Sequence, residues 1–397
     1  MELKQHLNMS QQSRTMSAPS LSSGEKPKPS GSSFFSKTSS FLGLGALRNL
    51  VTDSIAIDMG TSSTIVAVSG RDVVLDEPSV IAVNELTNEI IAYGSEAANM
   101  RGREPRDVKI IAPLVGGVVA DFERTRQMLS YFVGEARSGV SQFSRRALIS
   151  VISEITHVEQ RAILNAVESA HIGKVMMMEE GLAAAFGAGI SPRDRRAAAV
   201  VDMGASTTNI AVIANGSVVH SRSERIGSND INSALVNHIR KNRGLTIGDE
   251  TAEKLKLEFV SATVPKDLAQ EFTARGRDVQ TGSPGAVEVT TGELYPVVEG
   301  IVRRISNFIN QSLTELPAEV SADIYERGII MTGGGALFNN LDTYLRAQTK
   351  LPITIADEPR YATVRGLLLM FEEPLLLRRV ARNEPHLLQD ADISFET

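Results

Sequence analysis

Two stretches of this chain decide its fold: residues 57–68 read IDMGTSSTIVAV, and residues 201–212 read VDMGASTTNIAV. Aligned without gaps, they share seven of twelve residues. Each is an apolar run that ends near an acid, then a turn of Gly, Ser and Thr, then a second apolar run, a pattern that predicts a β-hairpin. Because the two copies lie too far apart for a solenoid repeat, the pattern indicates a duplicated domain.

The turns of these two hairpins suit a phosphate. Small residues let backbone N–H groups approach an anion closely, and hydroxyl groups add donors. The acid that heads each turn, Asp58 or Asp202, can hold Mg²⁺ directly or through water. Ordinary hairpin turns carry the same residue types, but the duplication favours two hairpins that face each other and hold a polyphosphate. The hydroxyl donors are Thr61, Ser62, Ser63, Ser206, Thr207 and Thr208.

A third glycine-rich element is GIIMTGGGALFNN at residues 328–340. A buried strand runs into Gly333, Gly334 and Gly335, and a helix follows, so a nucleotide can approach the backbone closely. The spacing matches neither the P-loop nor the dinucleotide-binding fingerprint. By itself a glycine-rich loop is weak evidence for a nucleotide site.

Composition excludes several other kinds of protein. The 397 residues include no cysteine, which excludes disulfides, a thiol nucleophile and cysteine-ligated metals, and fits a reducing compartment. A net charge of −6 argues against a polycation that coats nucleic acid, so we expect no nucleic-acid partner. No apolar run approaches the roughly 18 residues that a membrane-spanning helix needs.

The first 51 residues differ from the rest of the chain. Residues 1–32 are rich in Ser, Pro and Gly, and this composition predicts disorder. In residues 33–51, Phe34, Phe41, Leu44 and Leu47 recur at helical spacing, and no acid occurs between positions 25 and 53. Such a basic amphipathic helix can lie on an anionic membrane, although a lead-in that packs on the core would show the same pattern.

From about residue 55 to residue 369, short β-rich runs alternate with amphipathic helices, which indicates an α/β fold. The pattern predicts strands over 55–59, 64–68, 147–151, 198–203, 209–214 and 328–331. It predicts helices over 122–136, 158–169, 229–243, 250–258 and 292–316.

The ordered motifs DMGTSST, DMGASTT and MTGGGAL resemble the two phosphate loops and the adenosine loop of the actin, heat-shock chaperone and sugar-kinase superfamily. Other stretches narrow the resemblance to the MreB-type bacterial actins, and it covers roughly residues 54–370. They are LDEPSVIAV, AANMRGR, APLVGGVVADFE, ITHVEQRAIL, EEGLAAAFGAGI, LTIGDETAEKLKLE and GRDVQTGSP.

The resemblance implies an actin-like ATPase fold, with two ribonuclease-H-like domains of four subdomains around a cleft that binds ATP and Mg²⁺. We assign domain I to residues 52–194 and domain II to residues 195–365. We expect residues 366–397 to form a C-terminal helix that returns to domain I, and a tail. The resemblance further implies a slow ATPase that forms homopolymer filaments, is cytoplasmic and peripheral at the inner face of the cytoplasmic membrane, and works with the cell-wall elongation machinery.

The resemblance also assigns roles to individual residues. Glu159 matches the residue that orients the attacking water, and Asp202 and Thr207 join it as candidate catalytic residues. Asp58 and Asp202 are the candidate metal residues, acting through water. The nucleotide-binding candidates are Asp58, Gly60, Thr61, Ser62 and Ser63 of the first loop; Gly204, Ala205, Ser206, Thr207 and Thr208 of the second; Glu253 and Lys256; and Gly333, Gly334, Gly335 and Ala336.

Three of these candidates have a simpler interpretation. Thr156 and Glu159 form an S/T-x-x-E capping box at a helix start, and a capping glutamate reaches back to its own backbone. Glu253 and Lys256 lie one helical turn apart and could be an exposed ion pair of little consequence. The neighbouring acids Glu179 and Glu180 are interpreted as a helix N-terminal pair and not as a catalytic dyad.

The chain departs from the family pattern near the expected phosphates. The second loop reads Gly204-Ala205-Ser206 in place of three glycines, and a residue there in a left-handed conformation would cost about 1–2 kcal/mol. Residues 227–229 read Gly-Ser-Asn in place of Gly-Gly-Asp, and Gly181 replaces a proline. These changes leave two alternatives open: a nucleotide-binding scaffold with little hydrolysis, and a small-molecule kinase on the same scaffold.

Overall fold

The computed structural model describes residues 54–136, 146–153, 155–169 and 174–381. The predicted arm over residues 1–51, with its amphipathic helix over 33–51, lies outside the described residues, and so does the tail beyond position 381.

The described chain alternates strands and helices as the sequence pattern predicts. The strands are β1 Ser54–Met59, β2 Ser63–Val68, β3 Asp72–Pro78, β4 Ile81–Asn84, β5 Ile90–Tyr93, β6 Val108–Ile111, β7 Leu114–Val115, β8 Val118–Val119, β9 Arg146–Val151, β10 Lys174–Glu179, β11 Ala198–Met203, β12 Thr208–Ala214, β13 Ser217–Glu224, β14 Leu245–Thr246, β15 Glu271–Asp278, β16 Pro284–Thr290, β17 Ile329–Thr332 and β18 Ile353–Ile355.

Eleven α-helices lie among these strands in the described residues. They are α1 Gly94–Met100, α2 Phe122–Ala136, α3 His157–Glu168, α4 Glu180–Gly187, α5 Ser228–Arg243, α6 Asp249–Glu258, α7 Thr291–Thr314, α8 Ala318–Arg327, α9 Leu341–Thr349, α10 Ala362–Met370 and α11 Pro374–Val380. The five helices predicted from periodicity are all present, with ends that differ from the prediction by two residues at most. None of the described helices combines the length and the apolar character needed to cross a bilayer.

Two five-stranded sheets repeat one topology. The first has the order β10-β9-β1-β2-β3, and the second has the order β13-β12-β11-β17-β18. In each, an antiparallel three-stranded meander continues into two parallel strands on the far side of its first strand. The duplication in the sequence is therefore a duplication in strand topology, and the α/β fold class with two similar sheets is confirmed.

Helices α4 and α10 pack against each other between the two sheets, and the core cluster around them takes residues from both. Their backbones touch where glycines face carbonyl groups. A Cβ on Gly187 would lie 1.7 Å from the Ala362 carbonyl oxygen, and one on Gly366 would lie 1.8 Å from that of Ala183. Glycine is required at this helix crossing because no side chain fits between the two backbones.

Smaller sheets extend each half of the molecule. The sheet β5-β4-β6 carries α1 and follows the first hairpin in the chain, while the sheet β14-β15-β16 packs with α6. The last described helix, α11, docks on the core through the buried Leu377. Residues beyond 381, which belong to the tail expected over 366–397, lie outside the described residues.

Candidate functional site

A cavity of about 370 Å³ lies between the two large sheets. It is lined by the tips of the β1–β2 and β11–β12 hairpins, by one face of α6, and by the glycine loop, which we define as residues 333–335. The structure thus brings most of the predicted site residues to one cavity. They are Asp58, Gly60, Thr61, Ser62, Ser63, Asp202, Gly204, Ala205, Ser206, Thr207, Glu253, Lys256, Gly333, Gly334 and Gly335.

The two hairpin tips are built by the same hydrogen bond. The Gly60 N–H donates to the Ser63 carbonyl at 3.0 Å, and the Gly204 N–H donates to the Thr207 carbonyl at 2.8 Å. A Cβ on Gly60 would lie 2.7 Å from the Ser63 oxygen, so the first turn excludes any larger residue. The second turn is more open, since a Cβ on Gly204 would come no closer than 3.4 Å to Thr207.

The substitutions in the second loop bring no backbone strain. Neither Ala205 nor Ser206 is among the residues with positive φ in the described chain, so the predicted penalty does not arise. The glycine that the loop does need is Gly227, where a Cβ would lie 2.5 Å from the Ala205 carbonyl carbon and oxygen. This close approach lets the Asn229 N–H donate to the Ala205 carbonyl at 2.8 Å.

The two acids at the hairpins are held in equivalent ways. The Ser150 hydroxyl donates to Asp58 Oδ1 at 2.6 Å, and the Thr332 hydroxyl donates to Asp202 Oδ1 at 2.7 Å. Ser150 lies on β9 and Thr332 on β17, which are the parallel neighbours of β1 and β11. Each half thus uses a hydroxyl from the adjacent parallel strand to fix its carboxylate, which leaves the second carboxylate oxygen for other partners.

Glu180 joins these acids in the cavity wall, a placement that the sequence interpretation missed. It does begin helix α4 as predicted. Burial, together with the charges of Asp202 and Asp58, raises its pKa well above the ordinary value. Burial likewise raises the pKa of Asp58 to about 6, and the nearby Asp202 contributes to that rise. Glu179, the chain neighbour of Glu180, instead accepts a hydrogen bond from the Ser153 hydroxyl at 2.6 Å.

These acids fit a cation that is held through water. Burial raises the pKa of all three carboxyl groups, and the charge of Asp202 adds to the rise for Asp58 and Glu180. A divalent cation at this end of the cavity would relieve that repulsion. In the described residues, no three acidic or histidine side chains are arranged to hold a metal directly. The donor set therefore suits hydrated Mg²⁺, which keeps several of its waters.

Helix α6 contributes a buried cation to the wall. Lys256 is 5% exposed and its Nζ lies 2.7 Å from Glu253 Oε2, which also accepts from the Asn232 amide at 2.7 Å. The alternative of an exposed surface pair is therefore wrong for Lys256. A buried ammonium with one carboxylate partner keeps donors that can face a bound ligand.

Two residues predicted to bind the nucleotide, Thr208 and Ala336, are placed elsewhere. Thr208 is buried and its hydroxyl donates to the Ile226 carbonyl at 2.7 Å. Ala336 is also fully buried, and it packs into the core around the second sheet. We correct the placement of both: their side chains do not line the cavity, because each is used to pack or brace the loop behind it.

Glu159 forms the capping box that the sequence allowed. Its carboxylate accepts from the Thr156 N–H at 2.9 Å and from the Thr156 hydroxyl at 2.7 Å, while the Glu159 N–H donates back to that hydroxyl. These bonds hold the pKa of Glu159 below its usual range, and Arg225, 3.5 Å away, adds to the effect. In this arrangement Glu159 does not line the cavity, so the water-orienting role that the resemblance implies would require the cap to open.

Other residues of the cavity wall were not found from the sequence. Ser150 lies in the wall as well as holding Asp58, and Arg360 lines the wall from the other half of the molecule. A hydroxyl or a cation late in a strand or turn carries no distinctive local pattern. The available signal for Ser150 and Thr332 was their position near the ends of predicted buried strands.

Comparison with known proteins gives the family. The MreB/Mbl protein family model matches residues 52–378. Cell shape-determining protein MreB of Escherichia coli (strain K12) is 36% identical over 328 residues, which are 81% of this chain and 94% of that protein. Cell shape-determining protein Mbl of Bacillus subtilis (strain 168) is 37% identical over 318 residues, which are 80% of this chain and 95% of that protein.

Solved structures agree with the fold. The crystal structure of MreB5 of Spiroplasma citri bound to ADP has a TM-score of 0.77 and 30% sequence identity, and the match covers 83% of this chain and 98% of that chain. The MamK double helical filament has a TM-score of 0.67 at 22% identity, covering 81% of this chain and 99% of that chain. The second likeness concerns the actin-like fold alone.

Proposed function

The chain belongs to the MreB/Mbl family of actin-like cytoskeletal proteins, and on that premise we propose that it binds ATP with Mg²⁺ and assembles into filaments in a nucleotide-dependent way. The observation that carries the proposal is that two acid-headed hairpins of like construction line one cavity together with the glycine loop and α6. The related MreB5 of Spiroplasma citri has been solved with ADP and with AMPPNP, which supports a nucleotide in this cavity.

Different parts of the cavity wall would hold different parts of the nucleotide. N–H and hydroxyl groups of the two hairpin turns would hold the phosphate tail, and Glu253 and Lys256 would hold the sugar or base beside the glycine loop. Asp58, Asp202 and Glu180 would hold hydrated Mg²⁺. When bound, Mg²⁺ would neutralise charge that develops on the phosphate oxygens.

Hydrolysis in this scheme is slow. Glu159 is committed to the Thr156 cap and to Arg225, so aligning water for in-line attack requires a change of rotamer. Thr207 needs no such change, since its side chain already lies in the cavity wall at the second hairpin. We expect phosphate release by wild type to exceed that of Glu159→Ala by a modest factor, and equal rates would remove Glu159 from the mechanism.

Co-sedimentation tests the function directly. The full chain is centrifuged without nucleotide, with ATP and Mg²⁺, and with ATP and EDTA, and pellets are inspected by electron microscopy. We expect filaments only with ATP and Mg²⁺, and none for Asp202→Asn. The matched control is Asp342→Asn, which removes an acid that pairs with Arg346 on the surface of α9. Absence of nucleotide-dependent pelleting by wild type would refute the proposal.

We propose further that the filaments lie on the inner face of the cytoplasmic membrane and act with the cell-wall elongation machinery. The support is the basic, acid-free amphipathic pattern of residues 33–51 and the family's cell-shape role. Full-length protein should sediment with anionic vesicles, and Phe41→Glu with Leu44→Glu should abolish this without affecting filament formation. Vesicle binding that survives both changes would contradict the membrane role of the arm.

A further inference from the structure

Arg360 occupies a position between the two halves of the cavity wall. It lies in the 3₁₀ turn Pro359–Tyr361, between β18 and α10, and its side chain lines the cavity. The carbonyl of the preceding Pro359 accepts from the Gly333 N–H at 2.8 Å. The turn that carries Arg360 is therefore bonded to the backbone of the glycine loop.

The guanidinium of Arg360 reaches across to the first sheet. Its Nε donates to Asp76 Oδ2 at 2.8 Å and its Nη2 donates to Asp76 Oδ1 at 2.7 Å, while the Tyr361 hydroxyl donates to Oδ2 at 3.3 Å. Asp76 lies on β3, the edge strand of the first sheet. Paired, parallel hydrogen bonds of this kind are the geometrically most specific form of ion pair.

Arg360 also brings a positive charge to the cavity wall. Among the described residues that line the cavity, Lys256 and Arg360 are the two cations. Arg360 is thus held by the first sheet through Asp76, bonded through its own turn to the glycine loop, and exposed to the cavity between them.

A second pair on the same strand provides a matched comparison. Arg365 of α10 donates through Nε and Nη2 to the two oxygens of Asp72 at 3.2 and 2.9 Å. Like Asp76, Asp72 belongs to β3, and the arginine follows β18 in the chain. Arg365 does not line the cavity. The two pairs thus share chemistry and strand, but Arg365 also donates to Glu358 at 2.8 Å and does not contact the cavity.

We propose that Arg360 is a positioning residue for the nucleotide: held by Asp76, it keeps the glycine loop and the first hairpin in one relative arrangement around the bound ligand. The inference rests on the proposed function. Its consequence is kinetic, because loosening the wall on one side of an enclosed ligand shortens the residence time more than it slows entry.

The test measures how fast a fluorescent ATP analogue leaves the full-length protein when unlabelled ATP is added in excess with Mg²⁺. We expect Arg360→Gln and Asp76→Asn each to raise the dissociation rate by about tenfold, the effect of losing one charge-assisted hydrogen-bonded pair. The double variant should be no faster than either single one, because both changes remove the same interaction. The dissociation rate of Arg365→Gln should stay within about twofold of wild type, while its melting temperature without nucleotide falls at least as far as that of Arg360→Gln, because Arg365 also loses its bond to Glu358.

Equal dissociation rates for Arg360→Gln and Arg365→Gln would overturn the inference, since a merely structural pair moves stability alone. A fast Arg360→Gln with an unchanged Asp76→Asn would also overturn it, because Arg360 would then act without its anchor. If wild type binds no nucleotide, the proposed function fails together with this inference. If wild type binds and the variants dissociate at its rate, only the role of Arg360 fails.

Discussion

Gly227 offers the most direct test of how the second phosphate loop is held. It precedes α5 with extended backbone, so alanine can adopt its φ and ψ. The added Cβ would lie 2.5 Å from the Ala205 carbonyl carbon and oxygen and 2.6 Å from the Ser206 nitrogen. All three atoms are backbone, and no flexible side chain can move aside to relieve the contact.

The size of the effect follows from that geometry. Ordinary contact begins near 3.4 Å, so the loop must withdraw by close to 1 Å from its present 2.5 Å. Overpacking of this kind costs about 1–3 kcal/mol. The Asn229 N–H bond to the Ala205 carbonyl would stretch at the same time. Since misplacing binding groups by 1 Å can cost about a hundredfold, we expect Gly227→Ala to weaken ATP binding by roughly 10- to 100-fold.

Isothermal titration with ATP and Mg²⁺ measures the affinity, and circular dichroism melting without nucleotide measures the fold. Gly248→Ala is the matched control, because Gly248 precedes α6 with similarly extended backbone and a Cβ there meets nothing within 4 Å. Its affinity should stay within about twofold of wild type, as expected for a change that alters the cap alone. The reasoning is refuted if Gly227→Ala binds ATP as tightly as Gly248→Ala.

Three further outcomes are expected. Gly366→Ala should lower stability by about 3 kcal/mol or more in denaturant melts, because its Cβ would lie 1.8 Å from the Ala183 carbonyl; a wild-type midpoint would contradict the helix crossing. The Arg243 hydrogen bond lowers the pKa of Glu293, so Glu293→Gln should cost about 1 kcal/mol near pH 7, and the difference should vanish as acid protonates the folded carboxylate below the ordinary pKa of about 4.3; a constant difference would contradict this. Arg103 pairs with Glu250 at the acidic start of α6, and both side chains are exposed. Arg103→Glu replaces this attraction by repulsion, so nucleotide release should be faster at low salt and little changed at about 1 M salt; an unchanged rate at low salt would show that the contact does not affect release.

Local pattern was enough to predict the hairpins and the long helices. Helix α2 begins and ends where its periodicity predicts, and the two strands that flank each phosphate loop follow from apolar runs broken by small residues. The same local chemistry predicted the capping box at Thr156. These features depend on residues within one or two turns of each other, and the side chains themselves specify the backbone.

The remainder of the site depends on contacts between distant parts of the chain. Asp76 and Arg360 are separated by 284 residues and meet only when the two sheets are in place. Glu180 starts a helix in the way its sequence predicts, and its second role appears only because α4 points its first turn at both hairpins. The backbone angles at positions 205 and 206 could not be predicted either. The sequence shows that two glycines of the family pattern are replaced there, but not whether either position needs a positive φ.

The glycine contacts between α4 and α10 restrict how the cavity can open. Two helix backbones in direct contact have no layer of side chains that could rearrange as they slide. Translation of one sheet along the other would drive the Ala183 and Ala362 carbonyls into the opposite backbone. Rotation about the line of contact leaves those distances nearly unchanged. We therefore expect the two cavity walls to separate by a hinge rotation about the α4–α10 contact.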